Sequence, residues 1–298
     1  MKTLEPTAAL TLTRESVKAN LNVLGDLPSL SPVVAQLTST LGRDDVGVTQ
    51  VEAIIHRDPV IAAKIVFAAN AAAFASHTPT TSVRAALMRL GFLRVRRLAL
   101  LISLYNAVPP AQHALQQAFW RHSLAVAHAA EVIGRHAMAR KPSADVEAVF
   151  LAGLMHDIGV LVLSSHYPKQ YAAVSAHAGE DGVTLPEAEM SVLALDHGEI
   201  GACLAEHWQF PPDTAAAIRF HHRAEDAPED YRWEAAVIRL ADAASSMDSS
   251  WDLGEGSTLS EDEPWLEDLG LKAEALPEIL EETRVEATRA TAVLAEAG

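Results

Sequence analysis

The sequence is poor in several things, and each shortage excludes something. A single cysteine, Cys203, stands in 298 residues, so no intrachain disulfide can form and a reducing, cytoplasmic setting is expected. Aromatic residues make up 5% of the chain, and Val and Ile seldom alternate with polar residues, so half-buried strands are not expected. No uninterrupted apolar run reaches the roughly 18 residues that suggest a membrane span; "LALLISL", Leu98 to Leu104, is too short. The N-terminal "MKTLEPTAAL" lacks the apolar centre of a secretion signal. No internal repeat and no glycine-rich phosphate loop is present. Excess positive charge is missing too: the net charge of −16 argues against direct nucleic-acid binding, which needs a basic footprint. Neither a nucleic acid nor a membrane is therefore an expected partner.

What is abundant is alanine and leucine at helical spacing, and 49% of the residues are hydrophobic. The expectation is a mostly helical chain with a large core. Charge is uneven. From Trp251 onward 13 acidic residues face 3 basic ones, whereas "RLGFLRVRRLAL" gathers Arg89, Arg94, Arg96 and Arg97. That cluster reads as a solvated helix face or as a docking surface for an anionic partner or the chain's own acidic tail.

Local signals place the helices. Residues 1–19 read as a leader, with a helix expected from about Glu15 to Leu24. Ser31-Pro32 offers an N-cap followed by proline at the first helical position, and Asp58-Pro59 repeats that signal with Ile61, Ile65 and Ala68 or Ala69 at helical spacing. Gly91 separates two further helices. "NAVPPAQ", Asn106 to Gln112, is the expected linker between subdomains at 20–110 and 111–250. A long helix is expected through "AFWRHSLAVAHAAEVIGRHA", another through "VEAVFLAGLMHDIGVLVLSSHY" with a break at Gly159, and one or two before Pro211-Pro212. The segment 251–298 reads as an acidic tail with a helix near Leu276 to Leu294. Trp120 and Trp208 read as core anchors, Asn70 as a helix-ending residue, and His128 and His136 as surface or packing groups.

The chemistry concentrates in the second half. His156 and Asp157 interrupt an apolar run, and burying such groups is costly unless they are paired or bind a metal. A His-Asp dipeptide alone carries little weight in a chain with 13 histidines. His122, His197, His221, His222 and Asp242 join it, all in or at the ends of apolar helical segments. Imidazoles and carboxylates facing one another across helices are a usual way to build a transition-metal site.

These motifs carry a resemblance. "HS" at His122, "HDIG" at His156 to Gly159, "DHGEIG" at Asp196 to Gly201, His221-His222 and "RLAD" at Arg239 to Asp242 resemble the HD superfamily of metal-dependent phosphohydrolases. "LPSLSPVV" at Leu27 to Val34, "IIHRDPVIAAKIVFAAN" at Ile54 to Asn70 and "SVRAALMRLG" at Ser82 to Gly91 narrow it to the HDOD family, the HD-related output domain of bacterial signalling proteins. The resemblance spans about residues 20–245. It implies an all-α fold, an N-terminal helical subdomain packed on an HD-like helical bundle, and work in signal transduction.

By the same resemblance His122, His156, Asp157 and Asp242 form one metal position. Asp157 bridges, and His197, His221 and His222 complete a second, for one or two divalent ions of Fe, Mn or Zn. Two departures from the catalytic HD-GYP phosphodiesterases weigh against an enzyme. Their "HDIGK" lysine is Val160 here, and their Gly-Tyr-Pro loop is replaced by "HHRAEDAPEDY", with Arg223 in place of a glutamate. An apolar side chain offers a phosphate no charge-assisted hydrogen bond. The implied function is a response-regulator-like module acting on a signalling partner: a sensor kinase, a transcription regulator or a cyclic-dinucleotide enzyme. The alternatives are a metal-dependent phosphodiesterase acting on a cyclic dinucleotide or another phosphoester, and a nucleotide-binding receptor that does not hydrolyse.

Overall fold

The structure is a computed structural model that describes residues 30–41, 46–70, 79–107, 113–178, 182–246 and 265–285. The expected leader, the helix at 15–24 and most of the proline linker lie outside them. Every regular element among the described residues is helical. They fall into two compact units, the helices up to Ala107 in one and those from His113 to residue 285 in the other.

The N-terminal unit holds α1 (Pro32–Leu41), α2 (Val48–Ile55), α3 (Pro59–Ala68), α4 (Val83–Leu90) and α5 (Phe92–Ala107). Leu37, Ile55, Ile61, Ile65, Leu87 and Leu104 form its core, each fully buried or nearly so. Asp58 caps α3 as its sequence suggests: Oδ1 accepts from Val60 N at 3.0 Å and Ile61 N at 3.1 Å, and Pro59 occupies N1. Such a cap is worth about 1 kcal/mol. Ser31 behaves differently from expectation. Its hydroxyl does not cap α1 but donates to Asp58 Oδ2 at 2.9 Å, and its N–H donates to Ser103 Oγ at 2.7 Å. The two Ser/Asp-Pro signals are thus joined in one knot that pins the starts of α1 and α3 to α5. Gly91 takes φ +80 between α4 and α5, a conformation that side chains resist.

Asn70 does more than end a helix. Its Nδ2 donates to Val66 O at 3.1 Å and Thr80 O at 2.7 Å, while its Oδ1 accepts from Thr80 N at 2.7 Å. It therefore fastens the end of α3 to the segment that leads into α4.

The C-terminal unit begins with α6 (His113–Ala137), paired with α7 (Val146–Met155). Gly153 allows that approach: a Cβ there would sit 2.9 Å from Ala127 Cα. Then follow α8 (Ile158–His166), α9 (Pro168–Ala178), α10 (Leu185–Leu193), α11 (His197–His207), α12 (Pro212–Phe220), α13 (Glu229–Ser246) and α14 (Trp265–Leu269). Helix α13 packs on α6, α7 and α12, and α11 packs on α8 and α12.

The "HDIG" helix breaks at His156-Asp157 and not at Gly159, which lies inside α8. Val146 to His166 is long and apolar enough to cross a membrane by length and composition, but its most apolar stretch is 83% buried inside the protein and is interrupted by that break. Trp120 is buried as expected, whereas Trp208 is half-buried at the end of α11 and packs edge-on against Phe210. The described part of the acidic tail helix, α15 (276–285), is seated within this unit: Glu282 pairs with Arg135 at 3.3 Å and His136 at 2.9 Å on the last turn of α6.

Candidate metal centre

The seven expected residues come from five places on the C-terminal unit. His122 lies on α6, His156 and Asp157 form the two-residue break between α7 and α8, and His197 opens α11. His221 and His222 follow α12, and Asp242 lies on α13. Helix boundaries therefore place five of the seven at element ends, where the side chain can leave the helical rows.

The cluster is dense. His122 Nε2 lies 3.1 Å from Asp242 Oδ1 and 3.3 Å from His156 Nε2. Asp157 Oδ2 is 3.3 Å from His156 Nε2, and its Oδ1 is 3.2 Å from His197 Nε2 and 3.7 Å from His221 Nε2. His222 Nε2 lies 2.8 Å from His197 Nε2. Two overlapping groups of donor atoms, each within 4.8 Å, share Asp157: one with His122 and His156, the other with His197, His221 and His222.

The outer ring nitrogens are committed. His156 Nδ1 donates to Gly153 O at 2.8 Å, His221 Nδ1 to Ile218 O at 2.6 Å, and His197 Nδ1 to Glu189 Oε2 at 2.8 Å. A neutral imidazole that donates from Nδ1 has a bare lone pair on Nε2. Three such lone pairs therefore point toward carboxylate oxygens that also carry only lone pairs. Asp157 sharpens the conflict. It is the N-cap of α8 yet caps nothing, and neither of its buried oxygens accepts a well-aligned hydrogen bond. His221 Nε2 is likewise buried without a hydrogen bond. Such an arrangement is costly unless a cation sits among the donors.

Without a cation, the imidazoles and carboxylates shift one another. Burial opposes charge on His156 and His197, but neighbouring carboxylates outweigh it: Asp157 and Asp242 for the first, Glu189 and Asp157 for the second. Both pKa values rise well above the usual histidine range. His221 goes the other way. Burial, reinforced by the charges on His156 and His197, lowers it to about 3. His222 is pushed down by burial and by its histidine neighbours. Asp157 and Asp242 resist burial and stay well below the usual carboxylate range because of the histidines around them.

Residues around the cluster complete it. Asp196 caps α11, its Oδ1 accepting from Glu199 N at 2.9 Å, and its Oδ2 pairs with Arg223. Arg239, one turn before Asp242 on α13, donates to His222 O. Two guanidinium groups thus tie the His221-His222 turn to α11 and α13. Glu189 is the residue that the sequence reading passed over. A signal was available: Leu185, Glu189 and Leu193 share one buried stripe of α10 at i, i+4 and i+8.

Gly159 fixes the approach of α8 to α11, since a Cβ there would lie 2.1 Å from His197 O. Access is the remaining property. His156, Asp157 and His197 are fully buried, His221 is 1% exposed, and His122 and Asp242 are 3% exposed; only His222 reaches intermediate exposure. A cavity of about 240 Å³ nearby is lined by Met190, Leu195, Ile200, Cys203, Glu199 and Arg223, among others, but by none of the seven.

A family model described as HDOD domain matches residues 27–224, which takes in six of the seven cluster residues and stops short of Asp242. An uncharacterized protein of Treponema pallidum (strain Nichols) is 23% identical over 218 residues, covering 73% of this chain and 42% of its own length. The chain thus spans less than half of that curated relative. Among solved structures, an HDOD domain protein with unknown function from Geobacter sulfurreducens matches with a TM-score of 0.76 at 22% identity, over 93% of this chain and 97% of the other. A provisionally named phosphohydrolase from Shewanella amazonensis SB2B matches at 0.70 and 24% identity, over 93% and 98%. A protein from Marinobacter aquaeolei VT8, provisionally named for signal transduction, matches at 0.77 and 21% identity, over 98% and 67%. At these identities the three show a shared fold.

Proposed function

The chain belongs to the HDOD domain family, and from that membership we propose a regulatory signal-transduction module that acts by contact with another protein and holds a divalent cation in a closed, non-catalytic site. The observation that carries this reading is burial. Six of the seven donor residues are at most 3% exposed, whereas a phosphoester must touch a metal or its water to be hydrolysed. Val160, where the related hydrolases place lysine, is itself 3% exposed in the interior. Arg223, in the lining of the neighbouring cavity, is paired with Asp196 and Glu199.

The donor set fits a cation of the Fe, Mn or Zn class, with imidazole nitrogens and hard carboxylate oxygens together. His122, His156, Asp157 and Asp242 would hold one ion, and Asp157, His197, His221 and His222 a second. When bound, the metal supplies Lewis-acid charge at the centre. The chain's own groups do the rest: Gly153 O, Ile218 O and Glu189 orient the imidazoles, and the buried shell excludes water. A sensor kinase, a transcription regulator or a cyclic-dinucleotide enzyme suits such a module as partner.

Hydrolysis of a cyclic dinucleotide is the second reading, favoured by the convergence of all seven donors. One experiment separates them: metal content by mass spectrometry on anaerobically purified protein and on the His156→Ala/Asp157→Ala variant, with cyclic-dinucleotide turnover assayed on both. Near-stoichiometric metal lost in the variant, without turnover, is the expected result. Turnover that disappears with the metal would establish the enzyme instead, and a metal-free wild type would refute the site.

A further inference from the structure

Glu189 is 0% exposed, a position where a carboxylate is costly unless both oxygens are satisfied. They are. Oε2 accepts from His197 twice, from the backbone N at 2.8 Å and from Nδ1 at 2.8 Å. Oε1 accepts from the Tyr171 hydroxyl at 3.1 Å. The group therefore links α9, α10 and α11 and is aimed at one histidine alone.

That aim distinguishes His197 from its neighbours. Backbone carbonyls hold Nδ1 of His156 and His221, while a carboxylate holds Nδ1 of His197. A charged acceptor makes a shorter, stronger bond and raises the donor strength of the opposite nitrogen. The charge balance of the cluster gives this a purpose. One half of it contains two carboxylates, Asp157 and Asp242; the other shares Asp157 and otherwise offers only the imidazoles of His197, His221 and His222. A divalent ion among three neutral rings and one shared carboxylate lacks a countercharge, and Glu189 provides it one bond away.

We propose that Glu189 is a positioning residue that fixes His197 as an Nε2 donor and supplies the negative charge through which the His197–His221–His222 half of the cluster holds a divalent cation. The inference rests on the reading that the cluster binds metal. Tyr171 secures the second oxygen, so that the carboxylate cannot turn away from His197.

The test is Co²⁺ titration of the metal-free full chain, followed by visible absorption and chelator competition, on wild type, Glu189→Gln and Val174→Ala. Glutamine keeps the shape and one acceptor oxygen but removes the charge. Val174, fully buried on α9, controls for loss of packing in the same region. Glu189→Gln should weaken at least one Co²⁺ equivalent by about 10- to 100-fold and alter the visible spectrum, while Val174→Ala binds as wild type does. Binding within twofold of wild type, with an unchanged spectrum, overturns the inference. Should Glu189→Gln not fold, long-range ¹H–¹⁵N NMR of Zn²⁺-loaded wild type decides: a proton on His197 Nδ1 supports the proposal and one on Nε2 refutes it. A wild type that takes up no Co²⁺ is a different result, refuting the metal site itself.

Discussion

Replacing Gly159 with alanine sets two effects of opposite sign against each other. In a helix interior, alanine is favoured over glycine by about 1 kcal/mol; Gly159 is the second residue of α8, where the difference is smaller but of the same sign, so propensity alone makes Gly159→Ala stabilising. The packing says otherwise. The added Cβ would lie 2.1 Å from His197 O and 2.8 Å from its carbonyl carbon. Restoring an ordinary 3.4 Å contact to that oxygen takes about 1.3 Å of displacement. The obstacle is main chain at the first turn of α11, which cannot rotate aside as a side chain would. Overpacking costs about 1–3 kcal/mol, and a backbone obstacle belongs at the upper end. The net expectation is a loss of about 2 kcal/mol, or about 4–8 °C in Tm for a unit of this size. The site should suffer more than the fold, because metal–ligand distances tolerate only about 0.2 Å and the displaced segment carries His197. Thermal unfolding of the metal-free variant measures the first effect, and metal content by mass spectrometry measures the second. A variant with unchanged or higher Tm and full metal content would refute the reasoning about close approach.

Loading the centre should release protons. Neighbouring carboxylates raise His156 and His197 well above the usual histidine range, so a bound metal competes with protons that these rings hold more tightly than a free imidazole does. Metal affinity is therefore expected to rise with pH through the neutral range, and titration calorimetry in two buffers of different ionisation heat should show proton release; none would contradict the assigned protonation. The same shifts fix a sign for stability without metal: the contribution of these two histidines is fully present below about pH 6.5 and is lost as pH rises through their folded values. In the N-terminal unit, Asp58→Ala removes the acceptor of Val60 N, Ile61 N and the Ser31 hydroxyl. Denaturant unfolding should show a loss of about 2 kcal/mol, and Ser31→Ala a smaller one; equal stability of Asp58→Ala and wild type would remove the knot from the account.

The fold was legible wherever the signal was local. Asp58-Pro59 starts α3 because cap and fixed φ act within three residues, and Gly91 parts α4 from α5 because its own φ is positive. The gathering of His122, His156, Asp157, His197, His221, His222 and Asp242 was legible through the motifs that carry them. The sequence reading failed where a local signal was diverted by a distant partner. Ser31 has the chemistry of a cap, but Asp58 takes its hydroxyl. Gly159 has the chemistry of a helix break, yet it lies within α8, where α11 leaves no room for a side chain.

By itself, then, the sequence determined that the chain is helical, where several helices begin, and which imidazoles and carboxylates are available. Those properties depend on backbone conformation and residue type, which act over a few positions. Only the tertiary structure decided that Asp157 gives up its capping role, that Glu189 turns inward to His197, and that six of the seven donors are buried. Each of these depends on what another helix brings to the same point, and no pattern along a single helix encodes that distance.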